Sequence, residues 1–148
     1  MKYLLDTNVI SELIARKRNQ EIVDWVNNLD QHSVYLSVIT VGEIRKGIEK
    51  LIDSQRAALL TAWLKDDLLL RFDNHILSLG VEEMLEWGRM VGQSERRGRP
   101  LSTMDSLIAA LAIYYGCTLV TRNENDFTGL GIRIINPWDE ITSSRSTL

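Results

Sequence analysis

Cysteine is almost missing from this 148-residue chain: Cys117 stands alone, and the only histidines, His32 and His75, are far apart. One thiol cannot close an internal disulfide, and one thiol with two distant imidazoles cannot compose a Cys/His zinc site, so a reducing compartment is expected. Proline is also scarce, with two residues, while 45% of the chain is hydrophobic and 25% charged, which argues against a disordered or fibrous chain. There is no basic excess either. The formal net charge is -3, so any polyanionic partner has to be met by a local basic patch. Apolar runs stay well short of the ~18 residues of a membrane span, and the start "MKYLLDTN" carries no cleavable signal pattern. No membrane association and a cytoplasmic location are therefore expected.

What the sequence does contain is regular alternation. Short apolar runs, "KYLL" before Asp6, "VYLS" at 34–37, "HILSL" at 75–79, "CTLV" at 117–120 and "IRIIN" at 132–136, read as five strands. Between them apolar residues recur at three- and four-residue spacing: Val38, Val41, Ile44, Ile48 and Leu51, then Val81, Met84, Leu85, Gly88 and Val91, then Leu107, Ala110, Leu111 and Tyr114. That spacing predicts amphipathic helices. Gly116 stands where the last of these should stop, since glycine readily takes the left-handed conformation that ends helices. The stretch from Val38 to Leu70 reads as two helices without a strand between them, split near Ile52 to Ser54. Strands alternating with helices imply an α/β fold with a mostly parallel sheet covered on both faces, and ligands bind beyond the carboxyl ends of such strands. Residues 1–141 are expected to form one domain, with 142–148, including "SSRSTL", as a loose tail.

Four acidic places stand out against that frame. Asp6 follows the first strand in "LLDTNVISEL", Glu43 lies in "ITVGEIRKGIEK", Asp105 in "LSTMDSLIAALA", and Asn123, Glu124 and Asp126 in "VTRNENDF" after the fourth strand. Each has an ordinary explanation. Asp6 can cap a helix, Ser102 or Thr103 with Asp105 can form a capping-box-like pattern, Glu43 can be a solvated helix residue, and Asn123 to Asp126 suit a turn. Placed on one sheet, however, all four fall near strand ends where a shared cluster is geometrically plausible. Crowded carboxylates raise one another's pKa unless a cation is present, and their hard oxygens suit Mg²⁺ or Mn²⁺. Such a site can deliver an activated water to a phosphodiester.

These segments, together with the ending "IINPWDE", resemble the PIN-domain ribonucleases of VapC-type toxin–antitoxin systems, including the FitB-like branch, in the same order over nearly the whole chain. The resemblance implies a PIN-like domain with a five-stranded parallel sheet between helices, homodimerisation, and a Mg²⁺- or Mn²⁺-dependent endoribonuclease inhibited by a cognate antitoxin. By the same resemblance Asp6, Glu43 and Asp105 are core acidic residues. Asn123 stands where some relatives have Asp, and Asp126 belongs to the nearby "NDF" motif.

On that footing Asp6 and Asp105 are expected to contact metal, Glu43 to position metal or water, and Asp126 to complete the catalytic pocket. Thr7, Asn8, Thr121 and Asn123 are candidates for supporting hydrogen bonds, with helix capping as their alternative. RNA backbone contacts are assigned to Arg96, Arg97 and Arg99, with Arg89 and "ARKRN" at 15–19 as further basic groups. The tryptophans are assigned to core or dimer contacts and not to RNA. Two alternatives remain open: a catalytically degenerate module that only binds RNA or antitoxin, and an aspartate-phosphoacceptor domain. The second is disfavoured because Asn8 occupies the place of a second phosphatase aspartate and "VTRNEN" offers no receiver-type lysine.

Overall fold

The computed structural model describes residues 1–146. Five strands, β1 (Lys2–Leu5), β2 (Val34–Ser37), β3 (Ile76–Leu77), β4 (Cys117–Val120) and β5 (Ile134–Ile135), form one parallel sheet in the order β3-β2-β1-β4-β5. The helices are α1 (Thr7–Ile14), α2 (Gln20–Asn27), α3 (Val38–Glu49), α4 (Ser54–Trp63), a short α5 (Leu69–Arg71), α6 (Val81–Arg96), α7 (Thr103–Tyr115) and α8 (Pro137–Ser146). All five expected strands are present, but β3 and β5 are each only two residues long, shorter than "HILSL" and "IRIIN" suggested.

Strand periodicity divides the core in two. Alternate strand residues face opposite sides of a sheet, so Leu5, Val34, Leu36 and Val120 join Val9, Ile10, Ile44 and Ile48 on one face, while Leu4, Cys117 and Leu119 join Met90 and Ile108 to Ala112 on the other. Both faces are covered, which is why the strands read as continuous apolar runs. Leu4, Leu5, Leu36, Leu119 and Val120 are fully buried.

Several boundaries follow the chemistry expected of them. Gly116 ends α7 with φ 67°, and α3 and α4 are separated at Asp53, whose carboxylate caps α4 through Gln55 and Arg56 N–H. The helical excursion continues through a π-helical turn, Leu64–Leu68, which seats Leu64 and Leu68 in the core.

Three expectations are corrected. In α6 the apolar set Val81, Met84 and Leu85 faces outward, 76%, 39% and 63% exposed, while the helix buries Met90 and Ser94 and packs Trp87 and Val91 inward. The inward face contains a serine, and so reads as the more polar of the two. In α7 burial runs almost all round, at Ser106 and Ile108 to Ala112, because the helix packs against both α6 and β4, leaving Tyr114 of the expected stripe exposed. Finally, the segment expected to be loose is helical as far as Ser146, and Arg145 pairs with Glu21 of α2; Thr147 and Leu148 lie outside the described residues. Among the described residues, no helix is long and apolar enough to cross a membrane.

Candidate active site

The sheet order reverses direction around β1, with β2 on one side and β4 on the other, and the carboxyl ends of strands at such a reversal are where α/β folds bind ligands. Asp6 is the first residue beyond β1. Its N–H donates to the Val120 carbonyl at 2.9 Å, extending the β1–β4 ladder by one bond, and it caps α1. The cap of α1 and the strand-end position are therefore one placement.

The Asp6 carboxylate is buried and accepts three hydrogen bonds. Oδ1 accepts from Thr7 N–H at 2.8 Å, and Oδ2 from Thr121 Oγ1 at 2.7 Å and Asn8 Nδ2 at 3.3 Å. Asn8 also donates to Thr121 Oγ1 at 3.1 Å and accepts from Arg122 N–H at 3.2 Å. Asn8 thus fastens the start of α1 to the strand end of β4. The Asn123 N–H donates to the same Thr121 hydroxyl at 3.1 Å.

A second set of hydroxyls reaches Glu43. Thr7 Oγ1 donates to Glu43 Oε1 at 2.7 Å and lies 2.9 Å from Thr40 Oγ1, while Ser37 Oγ donates to Thr40 Oγ1 at 3.3 Å. Each hydroxyl has one hydrogen. With the Thr7 hydrogen given to Glu43, Thr40 must donate to Thr7, which sets one direction for the whole run: Ser37 to Thr40 to Thr7 to Glu43. Ser37 and Thr40 are buried. Sequence reading missed both, although Ser37, Thr40, Ile44 and Ile48 share the inward helical spacing and a hydroxyl on that face signals a polar partner.

Asp105 arrives from the other side of β1, in the first turn of α7. Ser102 Oγ caps the helix by accepting from the Asp105 N–H at 3.3 Å. Only half of the expected capping box forms: among the described residues the half-buried Asp105 carboxylate takes no hydrogen bond or ion pair.

Electrostatics ties these three together. The Asp6 carboxyl is pushed above its ordinary range, first by burial and then by the negative charges of Asp105 and Glu43, against the lowering effect of the Thr121 and Thr7 hydrogen bonds. Asp126 does not share this coupling. It is exposed on the 3₁₀ turn Glu124–Phe127 and is not among the groups acting on Asp6. Asn123 is also exposed, and its recorded link to the site is through its N–H. Among the described residues, no three His, Cys, Asp or Glu side chains are gathered closely enough to cage an ion unaided. The expected tight cluster is therefore an open one, coupled through charge.

The basic groups separate into two kinds. Arg89 is held by Glu86 and Gln93, and Arg16 by Asp53, so neither has the free guanidinium expected of it. The "ARKRN" run lies at the far end of α1, roughly 12 Å from Asp6 at 1.5 Å per helical residue, and does not flank the pocket. Arg96, Arg97 and Arg99 make no ion pair among the described residues. Arg96 and Arg97 line a concavity of about 280 Å³, and Arg99 lies over Gly129, where an added Cβ would stand 2.7 Å from its Nη1. Trp25, Trp63 and Trp138 pack on one core and Trp87 on the other, as expected of core tryptophans.

Comparison with known proteins identifies the family to which this fold belongs. The PIN-domain family model matches residues 3–131. Plasmid stability protein StbB of Pseudomonas syringae pv. tomato is 37% identical over 136 residues, covering 92% of this chain and 98% of the relative. Toxin FitB of Neisseria gonorrhoeae is 31% identical over 137 residues, covering 93% and 99%. The solved structure of FitAcB from the same species superposes with a TM-score of 0.87 at 32% identity, covering 92% of this chain and 98% of that one. The chain belongs to the PIN-domain family, in its VapC/FitB-like toxin branch.

Proposed function

We propose that this chain is the toxin of a toxin–antitoxin pair and acts as an endoribonuclease, hydrolysing RNA phosphodiester bonds until a cognate antitoxin occupies it. The observation that carries the reading is the buried Asp6 carboxylate just beyond β1, next to Thr7, whose hydroxyl donates to Glu43, and within charge range of Asp105. A relative from Sinorhizobium fredii bears the name VapC ribonuclease, and another the name toxin, which supports the same reading.

The donor set fits Mg²⁺ or Mn²⁺. Such ions are commonly held by one or two carboxylates and keep several waters, so an open pair of carboxylates suits them better than a closed cage. Asp6 and Asp105 would hold the ion, which when bound supplies charge to neutralise phosphate and to acidify water. The chain's own contribution is orientation. Thr121, Asn8 and Thr7 N–H fix the Asp6 oxygens, and the Ser37–Thr40–Thr7 run holds Glu43 as a proton acceptor facing the pocket. Asp126 lies exposed on the turn after β4, outside this set of hydrogen bonds. Arg96, Arg97 and Arg99 offer unpaired charge to the RNA backbone. The exposed Val81, Met84 and Leu85 face of α6 is the surface on which a second copy of the chain docks.

The test is cleavage of total RNA by the purified protein with Mg²⁺ or Mn²⁺, beside Asp105→Asn. The substitution removes charge without volume, so cleavage is expected to vanish with the melting temperature unchanged. Equal cleavage by both proteins refutes the assignment.

A further inference from the structure

Arg122 follows Thr121 directly, and both of its backbone polar groups are engaged by side chains at the carboxyl ends of the strands. Its N–H donates to Asn8 Oδ1 at 3.2 Å, and its carbonyl accepts from Asn136 Nδ2 at 3.3 Å. The side chain is exposed and lies over Trp138, with the guanidinium carbon 5.0 Å from the ring centroid. Trp138, in the first turn of α8, is itself packed against the core, so the platform under the guanidinium is fixed.

Four other exposed arginines differ. Arg16, Arg45, Arg89 and Arg145 each end on a carboxylate. Acids stand near Arg122 too: Glu124 is two residues on, Asp139 and Glu140 directly follow Trp138, and all three line one cavity of about 510 Å³. Among the described residues Arg122 nevertheless makes no ion pair. Stacking on an aromatic face leaves the in-plane N–H groups of a guanidinium open, and these are the donors that grip phosphate oxygens two at a time. The backbone bonds already fasten this strand end to α1 and to the turn before α8, so the side chain is not needed as a latch. Holding the plate on Trp138 also removes much of the rotamer freedom that would otherwise be lost on binding.

We propose that Arg122 is a substrate-binding residue that holds an RNA phosphate next to the acidic pocket, on the β4–β5 side of Asp6. This rests on the nuclease reading and adds to it a defined cationic contact. It also accounts for how a chain of net charge -3 brings a polyanion to a pocket lined with carboxylates.

Binding of a fluorescently labelled mixed-sequence single-stranded RNA, measured by anisotropy over a series of salt concentrations in metal-free buffer, tests this without relying on turnover. Arg122→Gln keeps the stem over Trp138 and removes the charge. It should weaken binding about tenfold at low salt, the scale of one charge-assisted contact, and flatten the log–log salt slope by about 0.7. Arg122→Lys should keep most of the slope. Circular dichroism melts of both variants should match wild type, because the side chain is exposed. If wild type binds RNA and Arg122→Gln binds it with the same affinity and slope, the assignment is overturned while the nuclease reading stands. The same holds if Arg122→Gln changes only the melting temperature. If wild type neither binds nor cleaves RNA, both fall together.

Discussion

Thr121 Oγ1 donates to Asp6 Oδ2 at 2.7 Å across 115 positions of sequence, joining the carboxyl ends of β4 and β1. The same oxygen accepts from Asn8 Nδ2 and Asn123 N–H. One hydroxyl therefore holds the Asp6 carboxylate, the start of α1 and the loop after β4 in a single arrangement.

Thr121→Val keeps the shape and removes that oxygen. Asp6 loses its shortest hydrogen bond, and two donors are left without their acceptor. RNA cleavage should fall by about 10–100-fold, the usual cost of losing a group that supports a ligand, with a stability loss of about 1–3 kcal/mol from the unsatisfied groups. Cleavage rates and denaturant titrations on the same preparation measure the two effects. Undiminished cleavage would show that Asp6 needs no such support.

A different hydrogen bond governs the pH response of the helical layer. Tyr115 Oη donates to Glu83 Oε1 at 2.6 Å, tying the end of α7 to the first turn of α6. That bond pushes the Tyr115 hydroxyl up to about 12 and holds the Glu83 carboxyl below its ordinary value of 4.5. For the raised tyrosine, the stabilisation is complete below its unfolded pKa near 10 and is lost as pH rises through about 12. For the lowered glutamate, it is complete above 4.5 and is lost as pH falls through the folded value. Tyr115→Phe should therefore melt below wild type throughout the neutral range, with the gap closing at both extremes. A gap independent of pH would mean that the hydroxyl acts by packing alone.

The outward face of α6 makes a prediction about assembly. Val81 and Leu85 are 76% and 63% exposed, and burying such side chains contributes about 1.5–3 kcal/mol each. Leu85→Lys should shift the protein from dimer to monomer at micromolar concentration in light scattering, with its helical content unchanged. A monomeric wild type would remove the docking role of this face.

Much of this was legible in the sequence for identifiable reasons. "KYLL" and "CTLV" are buried on both sides and so appear as unbroken apolar runs, and Gly116 is needed where the chain turns left-handed. Asp6 and Asp105 were legible because short polar residues at helix starts are conspicuous. The hydroxyl run through Ser37 and Thr40 was not, since a serine or threonine on an inward face looks like interruption of a pattern. Nor was the inward face of α6, where two faces of one helix both carry apolar residues and only the position of α7 decides between them. The role of the "NDF" aspartate was equally hidden, because a short 3₁₀ turn can point a carboxylate into a pocket or into solvent.

That last residue supports a discriminating substitution. Asp126 N–H closes its turn on the Asn123 carbonyl at 3.1 Å, which commits the backbone, while the side chain is exposed and is not among the groups that shift Asp6. Asp105, by contrast, does act on Asp6, and its half-buried carboxylate has no hydrogen-bond partner among the described residues. A carboxylate that reaches a shared ion should cost orders of magnitude in rate when neutralised, whereas a rim carboxylate should cost little more than its screened contribution to the local potential. Asp126→Asn is thus expected to retain cleavage within about tenfold of wild type, since 1.36 kcal/mol in the barrier corresponds to a factor of ten, while Asp105→Asn retains none. Measuring both under the same metal and salt conditions decides the point: equal loss in the two variants would place Asp126 inside the acidic centre and require the turn to move when RNA binds.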